Sequence, residues 1–195
     1  MKTATCQIRS LSPYSQSKFI QSERDDKESA GDFEKRCWRE RCHGTVDGQV
    51  FIPPMAFKNC IAEAARYLSV KIPGKRNNTY TKHFEAGVLV MNGPVLNLKV
   101  DDVEGEWLFV NADGKRGSGT RVMRCYPVIR EWKAEVVFFV LDETVTEDVF
   151  RYHLENAGSF IGIGRFRPRN NGYYGRFQVE GITWSEAGAS MSQAA

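Results

Sequence analysis

The chain has 195 residues, 42% of them hydrophobic and 12% aromatic, with 27 Lys+Arg against 24 Asp+Glu and a formal net charge of +3. That length suits one domain with a sizeable core, and the apolar content excludes a chain disordered throughout. The longest apolar run, residues 136–141, is six residues, far short of the ~20 that a membrane-spanning helix needs. No apolar h-region opens the sequence, so no secretory leader is expected. Five scattered cysteines (6, 37, 42, 60 and 125) read as reduced thiols of a cytoplasmic protein.

Residues 3–10 alternate roughly in polarity and predict a strand, ended by Ser12-Pro13. Residues 11–49 hold no sustained apolar period and predict a polar insertion, functional or mobile rather than core. Within it, 21–34 carry a net −4 and 35–44 a net +3. Residues 49–52 predict a short strand running into Pro53-Pro54, and proline suits the first turn of a helix. A helix is expected over 55–69, with Phe57, Ile61, Ala64 and Leu68 on one face. Residues 71–84 predict a basic loop, and 86–91, 95–100 and 106–111 predict strands. The last two are expected to pair as a hairpin across the acidic turn 101–105.

A second basic loop is expected over 112–131, then a strand over 132–141. Thr146 caps a second helix, with Val145 placed to staple onto Phe150 and Gly158 as its C′ residue. A glycine- and arginine-rich loop precedes a final strand over 174–184, and 185–195 predict a flexible tail. The element order gives an α+β fold with a ferredoxin-like (RRM-like) β-α-β-β-α-β core carrying long loop insertions, in a single domain spanning 1–184.

The segment richest in chemistry is 158–177, GSFIGIGRFRPRNNGYYGRF, with five glycines, four arginines and no acid. Glycines let a backbone approach a ligand closely. Arg165, Arg167, Arg169 and Arg176 offer phosphate contacts, and Phe166, Tyr173 and Tyr174 offer stacking surfaces, a combination suited to unstacked single strands. Taken alone, the segment reads equally well as a hairpin whose arginines are merely solvated. The basic loop at 71–84 adds Lys75, Arg76 and Lys82, and that at 112–130 adds Lys115, Arg116, Arg121 and Arg124. Each of the three segments is net +4, so 53 residues hold +12 and the other 142 sum to −9. Such polarisation suits a polyanion held on one surface.

The stretch at 50–66, VFIPPMAFKNCIAEAAR, and the glycine loop between a helix and the last strand resemble the RAMP superfamily of CRISPR-associated proteins. Most similar are the crRNA-binding backbone subunits of effector complexes. The family usually has Gly-Ser-Ser after Ile-Pro, where this chain has Pro54-Met55-Ala56. The resemblance implies a ferredoxin-like fold, Lys58 near the RNA backbone and the 158–177 loop against the nucleic acid. It also implies self-association along the strand and other CRISPR effector subunits as partners. The expected ligand is single-stranded RNA of the guide type, with single-stranded DNA as the other option.

Two rival functions stay open. Endoribonucleases of the same superfamily use a histidine as general acid or base, which points to His83 or His43. An inhibitor or mimic that binds CRISPR complex proteins is the other. Cys37-x4-Cys42-His43 lacks a second spaced ligand pair, so neither a metal nor another cofactor is expected.

Overall fold

The computed structural model describes residues 1–112 and 119–186. In chain order, β1 (Lys2–Ser10) and β2 (Tyr14–Ser15) are followed by α1 (Ala30–Cys37), β3 (Gln49–Phe51) and α2 (Pro54–Leu68). Next come α3 (Thr81–Gly87), β4 (Val88–Val90), β5 (Val95–Lys99), β6 (Glu104–Asn111) and β7 (Arg121–Ile129). β8 (Lys133–Val140), α4 (Glu147–Asn156) and β9 (Phe177–Glu186) complete the chain.

The main sheet has the order β4-β8-β1-β9, with every neighbouring pair antiparallel. Strand β1 sits inside because Ala4, Cys6 and Ile8 alternate into the core. α2 lies in the chain between β1 and β4, and α4 between β8 and β9, in an α+β arrangement with an antiparallel main sheet. The helices supply the other half of the core. Phe57, Ile61 and Ala64 of α2 are buried, as are Phe150 and Leu154 of α4. Each such large side chain contributes on the order of 1.5–3 kcal/mol by leaving water.

Two smaller sheets, β2-β7-β6 and β3-β5, lie outside this frame, and here the structure corrects the sequence. β5 and β6 do not form a hairpin. β5 pairs with β3, and β6 pairs with β7 from Glu104↔Val128 to Asn111↔Arg121. The turn between β5 and β6 holds Val103, which is 3% exposed, and an apolar residue drawn inward prevents a tight solvent turn. Much of the expected loop at 112–131 is therefore strand β7. Its glycine-rich stretch, with Lys115 and Arg116, lies outside the described residues. The expected loop at 71–84 runs into α3, which carries Lys82 and His83. The expected tail begins inside β9, and 187–195 lie outside the described residues.

The second helix passes the expected stop at Gly158 and continues as a π turn over Ala157–Ile161. Gly158 is there for space. A Cβ on it would stand 2.2 Å from the Phe177 carbonyl oxygen, so the glycine lets this turn lie against β9. The residue that ends the turn is Gly162, at φ +70°.

The insertion at 11–49 shows no sustained apolar period, yet it buries Tyr14, Cys37, Trp38 and Cys42, and Tyr14 and Cys42 join the main core, which corrects the expectation that the segment stays out of it. Its anchor is Glu34, 0% exposed, whose carboxylate accepts from both Arg41 terminal nitrogens (2.6 and 3.1 Å), from Arg124 (2.9 Å) and from the Cys125 amide (2.8 Å). Burial alone would raise the Glu34 pKa. The Cys125 amide and the two guanidinium groups outweigh it and hold the carboxyl below its usual range.

Candidate nucleic-acid interface

The glycine loop is positioned by the strand it crosses. Gly175 donates to the Pro13 carbonyl (2.7 Å), and Arg165 donates through its backbone to the Ser15 carbonyl (2.9 Å). The loop also closes on itself through Ile163 to Gly175 (3.0 Å) and Tyr174 to Phe166 (3.1 Å). Gly172 and Gly175 permit that closure, since a Cβ on either would fall within 2 Å of a facing carbonyl oxygen. The result presents Phe166 at φ +55° and 53% exposed. A non-glycine residue in the left-handed region carries a backbone cost of order 1 kcal/mol or more, and such strain clusters at functional sites.

On the other side, Pro53 precedes α2, and Met55, Ala56 and Asn59 of its first turns face the loop across an open cleft. The cleft has a volume of about 470 Å³ and is also lined by Gln16, His43, Arg165, Arg167 and Asn170. The α2 N-terminus adds the positive end of its dipole. Gln16, itself buried, ties the walls together by accepting from the His43 amide and donating to the Phe51 carbonyl (2.8 Å). Burial, and then the charge of Lys18, lowers the His43 pKa, so its imidazole is neutral at pH 7.

The loop arginines are not simply solvated. Arg165 stacks 3.9 Å from the Tyr126 ring centroid, donates to the Ser15 hydroxyl (3.1 Å) and pairs with Glu106 (3.4 Å). Tyr174 also donates to Glu106 (2.6 Å), and burial, followed by that carboxylate, pushes its phenol up to about 12. Arg167 (2.8 Å) and Arg169 (3.1 Å) share Glu63 of α2, leaving the three arginines and two carboxylates net positive. Arg176 donates to the carbonyls of Ser159 (3.2 Å) and Tyr173 (3.5 Å), and Tyr173 is 59% exposed.

The structure brings the glycine loop and β7 together through Arg165 and Tyr126, but not the first basic segment. Lys75, Arg76 and Lys82 are exposed and line neither this cleft nor the one formed by Lys18, Arg124 and Tyr126. Lys58 points elsewhere too: its ammonium donates to the carbonyls of Phe84 (3.3 Å) and Glu85 (2.6 Å), tying α2 to α3. Arg121, near the tip of the β6-β7 hairpin, lies 5.5 Å from the Phe109 ring centroid. His83 pairs with Asp142 (Nδ1 to Oδ2, 2.6 Å) away from the cleft, whereas His43 lines it. Glu106, Gln16 and Tyr126 carried no sequence motif; Asn59 and Glu63 lie within the 50–66 stretch but were not singled out, and only the fold reveals their place.

All five cysteines are buried, and burial raises the thiol pKa of each. Among the described residues no group of three or more His, Cys, Asp or Glu could hold a metal ion, and no helix is long and apolar enough to cross a membrane.

No family model and no curated protein sequence matches the chain. Among solved structures, it is similar to a chain in the cryo-EM structure of the Type III-B Cmr-beta bound to cognate target RNA, with a TM-score of 0.53 and 11% identity. The match covers 95% of this chain and 61% of that one. A chain of a CRISPR RNA-guided surveillance complex aligns with a TM-score of 0.36 and 10% identity, covering 92% of this chain and 66% of that chain. The chain thus spans less than two thirds of the length of either. The first likeness is one of fold and agrees with the α+β class.

Proposed function

We propose that the chain binds single-stranded nucleic acid, RNA of the guide type in the first place, in the cleft between the first turns of α2 and the glycine loop. It would act as a CRISPR-type backbone subunit repeating along the strand. The observation that carries this reading is the open cleft of about 470 Å³, where Arg165 and Arg167 meet the polar side chains of Asn59 and Asn170. Phe166 and Tyr173 stand exposed on the same loop. Guanidinium groups hold phosphates, amide side chains bond ribose or base edges, and the aromatic rings stack unpaired bases. The fold likeness to a chain of an assembly bound to cognate target RNA supports RNA over DNA.

Fluorescence anisotropy with labelled single-stranded RNA, the matching DNA and a duplex tests this. Single-stranded RNA is expected to bind tightest, with log affinity falling by about 0.7 per phosphate contact per log unit of salt. Several chains per long strand are expected by light scattering. A flat salt dependence, or a preference for duplex, would overturn the reading.

A metal-independent endoribonuclease is the second reading, favoured by one observation: a neutral, half-buried His43 lines the same cleft as Arg167. It predicts cleavage of a hairpin RNA in EDTA that is lost in His43→Ala. His83, already bonded to Asp142, is the weaker candidate.

A further inference from the structure

We infer that the track continues beyond the first cleft into a second subsite, walled by residues 17–22, α1 and β7, which takes further nucleotides of the same single strand. This rests on the binding function proposed above. Ser17 lines both clefts, and the second has a volume of about 530 Å³. That lies within the range of small-molecule sites, ~300–1,000 Å³.

Phe19 singles this place out. It is 83% exposed, more than any other aromatic side chain among the described residues. Its segment is nevertheless tied at both ends. On one side Gln16 is bonded to His43 and Phe51, and the Lys18 amide donates to the Arg41 carbonyl (3.0 Å). On the other, the amides of Gln21 and Ser22 donate to the Glu40 carboxylate (3.0 and 3.1 Å). A large apolar ring held out in water on an anchored backbone is a stacking platform without its base.

The charge around it suits a phosphate. Lys18 is exposed, and the Arg124 side chain is 32% exposed while using one nitrogen on Glu34. The Glu34 carboxylate already accepts four hydrogen bonds, about its full capacity, so it leaves the remaining donors of Arg124 available. Two guanidinium groups around one carboxylate are net +1, Lys18 adds one charge and Glu40, bonded to Ser22, removes one, so the wall stays net positive at +1. The acidic run that begins at Glu23 follows directly and would repel a phosphate, which sets where the track ends.

Phe19→Ala and Lys18→Ala, compared with wild type on single-stranded RNAs of about 4 to about 16 nucleotides, test the extension. The expected result is a loss of affinity in Phe19→Ala that grows with length and reaches about tenfold or more on the longest strand. Lys18→Ala is expected to lower the salt slope by about 0.7 on that strand. Phe19 is exposed, so an unchanged melting temperature will show that the fold is intact. A Phe19→Ala loss that is absent, or equal at every length, overturns the second subsite while leaving the first cleft standing. So does a variant that keeps its RNA affinity and loses self-association, which would assign Phe19 to a protein contact. Wild type binding no RNA at any length sinks the underlying function, and the extension with it.

Discussion

Two places in the molecule set one glutamate between two arginines, and they are opposites. Glu34 lies between Arg41 and Arg124 at 0% exposure, and Glu63 lies between Arg167 and Arg169 at 22% side-chain exposure. The first trio fastens the insertion to β7. The second edges the cleft. Burial decides what the motif does: a desolvated carboxylate cannot lose its cations without great cost, whereas a partly exposed one gives them up more readily.

Breaking the buried trio has the largest expected effect. Glu34→Ala strands two guanidinium groups, one of them largely buried, and leaves the Cys125 amide without its acceptor. A loss of about 3–5 kcal/mol is expected, or roughly 6–20 °C in melting temperature for a chain of this size. A fall under about 2 °C by differential scanning calorimetry would show that the trio is not the anchor.

Acid attacks the same trio by protonation. The folded Glu34 pKa lies below its ordinary value of about 4.3, so its stabilisation is complete above that pH and is lost as pH falls through the folded pKa. His43 and His153 also have lowered pKa values, through burial first, so the unfolded chain takes up their protons earlier. Stability should therefore be greatest near pH 7, decline below about 6.5 and again below about 4.3, and fall above about 8, where the unfolded chain's thiols ionise and the buried ones do not. His153→Phe should shrink the first decline and leave the second. Thermal melts of wild type and His153→Phe across pH check both, and a first decline of the same size in the two would contradict this assignment.

The contrast also explains what the sequence could reveal. The helix after Pro53-Pro54, the glycine loop and strands β1, β8 and β9 follow local rules of period, caps and charge, and their outlines were legible. The insertion was not. It docks through a carboxylate bonded 91 residues away, and no period announces one polar contact at that distance. The false hairpin at 95–111 has a similar cause: an acidic turn looked like solvent, and only the fold shows Val103 drawn inward. Among candidate site residues, the cationic character of Arg165, Arg167 and Lys58 was plain. Their direction was not, because Glu106, Glu63 and the carbonyls of α3 are brought to them by the fold.

The smallest stability effect belongs to the exposed trio, and it should be paired with a gain. Glu63 holds Arg167 at 2.8 Å and Arg169 at 3.1 Å, using donors that a phosphate would also use. Glu63→Ala removes pairs that solvent still reaches, so about 1 kcal/mol of stability should be lost, a shift of about 2–4 °C. The freed guanidinium groups should then bind single-stranded RNA more tightly at low salt, with a slope steeper by about 0.7 for each added phosphate contact. Glu63→Gln, which keeps an acceptor and drops the charge, should fall between wild type and alanine. If Glu63→Ala instead weakens binding, the carboxylate positions the arginines rather than competing for them. In that case the exposed trio resembles the buried one, and burial alone does not separate them.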